Sequence, residues 1–286
     1  MTDFSAQRIG VVGLGLIGGS FCKTIKKQLG VECVGLDANP DAVCKAVKTG
    51  AISRGITVDE LSECDITVVA LHPIQTIDFI KANADRFRQG SIVTDVCGVK
   101  ESVIDAVEEL LQARGVHFVG AHPMAGREFS GFDYALDDLF NGASFIVTPT
   151  GRTDREALTR VAELAEQMHF ERVVLADPKD HDKIIAFTSQ LAHVVSNAYI
   201  KSPTALYQVG FSAGSFLDLT RVAKLNEDMW TDLFLMNKEP LLYELDTIID
   251  SLSEYRDAIR AGDHDTLHEL LRQGRILKEK SMDIIR

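Results

Sequence analysis

The stretch Gly120-Ala121-His122-Pro123-Met124-Ala125-Gly126-Arg127-Glu128 sets one imidazole between two glycines at the end of a strand-like run. A histidine held there can take a proton from a bound substrate. Arg221 is a second reactive group. It lies in Leu217-Asp218-Leu219-Thr220-Arg221-Val222-Ala223, after the small-residue loop Phe211-Ser212-Ala213-Gly214-Ser215-Phe216. A guanidinium buried in so apolar a run needs an anion, either Asp218 or another acid of the chain, or a substrate carboxylate. His193 shares one helical turn with Ser189 and Gln190, and is either a core histidine or a cleft residue. Arg127 either reaches an anionic substrate or pairs with Glu128 or Asp133 at the surface.

The element that would serve these groups comes first in the chain. The run Arg8-Ile9-Gly10-Val11-Val12 leads into Gly13-Leu14-Gly15-Leu16-Ile17-Gly18, and a helical segment follows. Glycines in that pattern permit a tight turn, approach of backbone to pyrophosphate and close helix–strand contact, while the N–H groups of the first turn, at Leu16 and Ile17, face the phosphates. A second strand ends in Asp37, 19 positions past Gly18, where a ribose-binding acid belongs. Its carboxylate repels a 2′-phosphate and no arginine follows it, so NAD is expected over NADP. His72, at the end of a third strand, is a candidate for lining the cofactor cleft, or simply a turn residue.

Further strand-like runs at 65–71, 91–96, 117–120, 144–148 and 171–175 alternate with potential helices. Near-continuous apolar strands of this kind predict a parallel sheet covered on both faces, with its ligand crevice at the carboxyl ends of the strands. The expected fold is an α/β Rossmann-type parallel-sheet domain, residues 1–176, followed by a mostly α-helical substrate and dimerisation domain, residues 177–286. Asp177-Pro178 reads as an N-cap and first helical position. Ile184, Ile185, Thr188, Leu191, Ala192 and Val195 would form one apolar face of the helix that follows. The helical faces exceed what one small layer can bury, which predicts a homodimer through this domain.

The 286 residues carry a formal charge of −12, which argues against a general nucleic-acid partner. The five cysteines have no C-x-x-C spacing, so no metal site is expected and reduced thiols in a cytoplasm fit best. No targeting segment and no apolar stretch of the ~18 residues of a membrane helix is found.

Taken together, GLGLIGGS at 13–20, TDVCGVK at 94–100, GAHPMAGRE at 120–128, SQLAHVVSNA at 189–198, and FLDLTRVA with MWTDLF between 216 and 234 resemble the prephenate dehydrogenase family. The likeness runs from Ile9 to about the chain's end and leaves no room for the regulatory domain of some members. It implies NAD-dependent oxidative decarboxylation of prephenate to 4-hydroxyphenylpyruvate, a step toward tyrosine. It further implies His122 as the base on the ring hydroxyl, Arg221 holding a substrate carboxylate, and His193 beside cofactor and substrate, with Ser189, Gln190 and Arg127 lining the substrate site. Three departures stand out. Gly98 replaces a frequent serine that would orient the histidine, leaving Cys97 or a water to substitute; Gln190 replaces a histidine; and Arg127 replaces a small hydroxyl residue. Competing readings are an arogenate dehydrogenase, a β-hydroxyacid dehydrogenase using Lys183 or Lys224, and a catalytically silent NAD-binding sensor.

Overall fold

A computed structural model describes residues 2–211 and 213–285; Ser212, in the small-residue loop above, lies outside them. The strands are β1 (Arg8–Val12), β2 (Glu32–Leu36), β3 (Ile66–Val69), β4 (Ile92–Asp95), β5 (His117–Pro123), β6 (Ser144–Thr148) and β7 (Arg172–Leu175). They form a single sheet in the order β2-β1-β3-β4-β5-β6-β7. Strands β1 to β5 are mutually parallel, so their carboxyl ends share one edge.

The apolar runs are continuous because both faces are covered. Ile9, Val11, Ile66 and Val68 point into one core with Phe21 and Ile25 of α1 (Leu16–Gln28), Ala42 and Ala46 of α2 (Pro40–Lys48), and Val161 and Leu164 of α5 (Arg155–Gln167). Val12, Val69 and Val93 point into the other, with Ile80 of α3 (Pro73–Asn83) and Val103, Val107 and Leu111 of α4 (Glu101–Gln112). Each such fully buried aliphatic chain stabilises the fold by about 1.5–3 kcal/mol.

The expected all-parallel sheet needs one correction: β6 runs antiparallel to β5, pairing Pro123 with Phe145 and Gly120 with Thr148. A parallel return requires a crossover, usually a helix. Residues 124–143 instead lie against α1, where Lys23 Nζ donates to Ala135 O at 2.7 Å and Leu136 N–H donates to Ser20 Oγ at 2.9 Å. The chain therefore re-enters the sheet at the edge it left.

After β7 come α6 (Pro178–Ile185), α7 (Ala192–Tyr199), α8 (Gly214–Thr220), α9 (Glu227–Met236), α10 (Lys238–Ala261) and α11 (His264–Ile285). Asp177 caps α6 by accepting from Lys179 N–H at 2.9 Å. A π-helical turn, Ala186–Leu191, separates α6 from α7. Its wider turn rotates the apolar face, burying Ile185 and Leu191 and leaving Ile184, Thr188 and Ala192 exposed instead of in one stripe.

Two compact units result, Met1–Lys238 and Glu239–Arg286. The first keeps α6 against α4 and α9 against α3, so packing breaks well beyond Leu175, where the sheet ends. In the second, Leu252, Ile259, Leu271 and Leu277 stand exposed on helices joined at Gly262 (φ +66°).

Candidate active site

The glycine loop follows β1 as the sequence suggests. Gly13 has φ +88°, and a Cβ there would meet Ala70 O at 2.5 Å; at Gly18 it would meet Gly13 O at 1.9 Å. Both positions therefore require glycine. Gly15 differs, since a Cβ there would meet nothing within 4 Å: the loop leaves space above the α1 N-terminus, where Leu16 and Ile17 begin the helix without a side-chain cap. Asp37 lies beside this cradle, accepting from Leu14 N–H at 2.6 Å and Asn39 N–H at 2.7 Å. The open space, uncapped helix end and adjacent carboxylate suit a dinucleotide. His72 is exposed at the start of α3 after β3, with no side-chain capping bond.

His122 sits near the end of β5, between Ala121 and Pro123, its backbone fixed by pairing with Ile146 of β6. Its Nδ1 lies 3.0 Å from His181 Nε2 on α6, and its Nε2 faces Gly98 in the loop after β4. Burial chiefly, then the nearby His181 and Lys100, hold its pKa well below the ordinary 6.5. The imidazole is therefore neutral and able to accept a proton at neutral pH.

Beneath it lies a buried polar layer. Lys100 pairs with Asp95, both side chains fully buried, and also donates to Ala121 O at 2.6 Å. Asp182 accepts from the Lys100 and Glu101 N–H groups, at 2.8 and 2.9 Å, and lies 2.7 Å from His181 Nδ1. Cys97, a possible stand-in for a serine, turns away: its Sγ meets Thr76 Oγ1 at 3.3 Å, and burial pushes its pKa up to about 12.

The other expected residues divide. His193 is half-buried against Trp230, ring centroids 4.0 Å apart, and its Nδ1 meets Ser189 O at 2.8 Å. Burial, against the Ser189 contact and helped by the Arg221 charge, lowers its pKa. Arg221 is not the buried cation that its apolar context suggests. It is exposed at the end of α8, and Glu128, not Asp218, is its partner at 3.2 Å. Arg127 has neither expected partner, since Glu128 is with Arg221 and Asp133 with Lys45; its guanidinium lies 5.3 Å from the Phe129 ring centre. Gln190, expected at the substrate site, bonds to the protein's own groups. It is 1% exposed, donates to Leu233 O at 3.1 Å and accepts from Asn237 Nδ2 at 2.8 Å, and so braces α9.

His181, Asp182 and Asn237 escaped the sequence reading, and Lys100 entered it only as the last residue of TDVCGVK at 94–100. The adjacent His-Asp pair in the first turns of α6 was the available signal, but its partner is 59 residues away.

Two models of known families match successive segments of the chain. The family described as "Prephenate dehydrogenase, nucleotide-binding domain" matches residues 21–174, and "Prephenate dehydrogenase, dimerization domain" matches 177–273. A prephenate dehydrogenase of Bacillus subtilis is 30% identical over 90% of this chain and 71% of its own. The crystal structure of prephenate dehydrogenase from A. aeolicus, in complex with hydroxyphenyl propionate and NAD+, is 30% identical and superposes with a TM-score of 0.87 over 99% of this chain and 100% of that one. The Synechocystis arogenate dehydrogenase structure is 29% identical, with a TM-score of 0.80 over 96% of this chain and 99% of that one. With one family matching both segments in order, the chain belongs to the prephenate dehydrogenases.

Proposed function

We propose that the protein is an NAD-dependent oxidoreductase that converts prephenate to 4-hydroxyphenylpyruvate and carbon dioxide, toward tyrosine. The observation that carries this reading is a neutral imidazole, His122, at the sheet edge that also holds the glycine cradle and Asp37. Bound NAD supplies the hydride acceptor. His122 takes the proton of the ring hydroxyl as hydride leaves the same carbon, turning that carbon into a carbonyl. Loss of carbon dioxide then makes the ring aromatic and leaves a phenolate oxygen, to which His122 returns the proton. Substrate and products balance with no net proton released.

Gly13, Gly15, Leu16, Ile17 and Gly18 hold the cofactor's phosphates, Asp37 its ribose, and His72 borders the cleft. Arg221 receives a substrate carboxylate. Its pair with Glu128 is exposed, and such pairs are worth about 0–1 kcal/mol, so a substrate anion can compete for the guanidinium. His193 and Ser189 border the substrate beside Trp230. Arg127, with no carboxylate partner among the described residues, favours prephenate's keto acid over the ammonium of arogenate. The working form is a cytoplasmic homodimer, with the division into sheet and helical domains at Ala176; the exposed apolar residues of the last two helices support the dimer.

The test is NADH formation with prephenate or arogenate, and NADP as control. Turnover of prephenate with NAD is expected. Replacement H122N should lower kcat by ~10²–10⁴-fold with NAD binding retained. Turnover of arogenate alone would reassign the substrate, and full activity in H122N would remove the histidine from the chemistry.

A further inference from the structure

The serine-free side of His122 poses a physical question: what keeps this base in its working tautomer? A Cβ built on Gly98 would stand 3.7 Å from His122 Nε2, so the residue on that side offers no side chain to hold the ring. The other nitrogen is held. His122 Nδ1 lies 3.0 Å from His181 Nε2, and His181 Nδ1 lies 2.7 Å from Asp182 Oδ1.

The proton positions along this row follow from its far end. Both oxygens of Asp182 accept backbone N–H groups, Oδ1 from Lys100 at 2.8 Å and Oδ2 from Glu101 at 2.9 Å. These are the N–H groups of the N-cap and first residue of α4, where the helix dipole favours negative charge. Asp182 is thus an anion that only accepts, and His181 must donate to it from Nδ1. In the neutral imidazole the opposite nitrogen, Nε2, is then a lone pair. It can only accept from His122, so His122 carries its proton on Nδ1 and presents an unprotonated Nε2 on the Gly98 side.

We propose that His181 and Asp182 are positioning residues that fix the tautomer and orientation of His122 from behind, through a three-member row Asp182–His181–His122. The proposal rests on the reading of His122 as the base, and concerns how that base is kept ready. When His122 takes its proton, the same row faces the imidazolium with a lone pair backed by a carboxylate.

The row is rigid. His181 and Asp182 are each 2% exposed. Asn237 Nδ2 donates to Asp182 O at 2.8 Å and to Gln190 Oε1 at 2.8 Å, tying α6, the π-helical turn and the end of α9 into one buried network. Gln190 is part of what holds the row. The charged and titratable groups packed around His122 are His181 and Asp182 from α6, Lys100 before α4, and Asp95 of β4.

The direct test needs no turnover. Nitrogen NMR of the protein labelled with ¹⁵N-histidine, with His122 assigned by loss of its signals in H122N, should show a protonated Nδ1 and a pyridine-like Nε2. The opposite tautomer in the resting protein overturns the proposal. Kinetically, D182N removes the charge at the far end of the row, while its oxygen keeps the place of Oδ1, where two donors meet, and still accepts from His181. The tautomer then stands and only the charge behind the imidazolium is lost, so kcat should fall by ~10–10²-fold, less than a wrong tautomer costs, while NAD affinity is kept. H181F, which keeps bulk and removes the acceptor, should lose ~10²-fold in kcat with little change in KM, and H181Q should recover at least about tenfold of that through its amide oxygen. H181F within about threefold of the parent, or H181Q no better than H181F, overturns it. Should D182N weaken the α4 cap and fail to fold, the tautomer of the parent protein still decides. A chain that fails to oxidise prephenate yet shows the Nδ1-protonated ring would sink the functional reading and leave this one standing.

Discussion

Replacing Lys100 by methionine tests the layer that holds the catalytic edge together. The Lys100 and Asp95 side chains are both 0% exposed. Asp95 Oδ2 accepts from Lys100 Nζ and from Cys97 N–H at 3.0 Å, while Oδ1 has no hydrogen-bond partner among the described residues. Removing the ammonium leaves a buried carboxylate supported by one backbone bond, and Ala121 O loses its 2.6 Å donor. Breaking one side of such a pair typically costs ~3–5 kcal/mol, whereas exchanging both partners for apolar side chains is often neutral. Equilibrium unfolding in urea should therefore show K100M destabilised by ~3–5 kcal/mol and D95L/K100M recovering most of that loss. The same change acts on His122: the Lys100 charge disfavours its imidazolium, so without it the His122 pKa rises. The acid limb of the kcat/KM profile should move to higher pH in K100M. A loss under ~1 kcal/mol, or a double variant as weak as K100M, would refute the view that the pair is structurally coupled.

Two other outcomes follow from named contacts. Asp37 already accepts two backbone N–H groups at the cradle, and its remaining lone pairs suit ribose hydroxyls. Replacement D37S should forfeit charge-assisted bonds of ~1.5–3 kcal/mol, lowering kcat/KM for NAD by about 10–150-fold and raising the NADP to NAD ratio; an unchanged ratio would release Asp37 from cofactor choice. The His122 pKa, depressed mainly by burial, also ties stability to pH. As pH falls through the unfolded value of 6.5, the unfolded chain binds a proton that the fold refuses. The contribution is fully present above that pH and declines below it, by at most ~1.4 kcal/mol per pH unit. Unfolding of H122N over the same range should show a shallower decline, and parallel curves would contradict the assignment.

Much of the fold was legible because its strands and glycine loop are local signals. Ile66 to Val69 is buried on both faces and reads as a β-branched run, while Gly13 and Gly18 are fixed by contacts under 3 Å that only glycine tolerates. The reversal at β6 was not legible. Ser144 to Thr148 has the composition of its parallel neighbours, and its direction is set by how residues 124–143 lie against Ser20 and Lys23 of α1. The π-helical turn was hidden for a similar reason. A period of 3.6 assigned Ile184, Thr188 and Ala192 to the face of Leu191, and one wider turn moved them away.

The site shows a sharper division between residues proposed to meet ligands and residues that hold other residues. His122, Asp37 and the glycines stand at strand ends, a place that sequence pattern can find, because strand termini are where a parallel sheet exposes its chemistry. His181 and Asp182 stand inside the first turns of a helix, where a histidine and an aspartate ordinarily face solvent or cap the helix. Their importance comes from the Nδ1 of His122, 59 positions earlier in the chain, which the fold brings beside them, and from the N–H groups at the start of α4 that Asp182 accepts. Arg221 errs in the opposite direction: an apolar neighbourhood in sequence suggested burial, but α8 is only seven residues long and ends with the guanidinium exposed beside Glu128. Gln190 stood in a stretch that resembles a substrate site, and its amide is spent bridging Leu233 and Asn237. In this chain the bonds that hold the His122 ring and its partners therefore come from α6 and α9, behind the ring, while Gly98 brings no side chain to its Nε2.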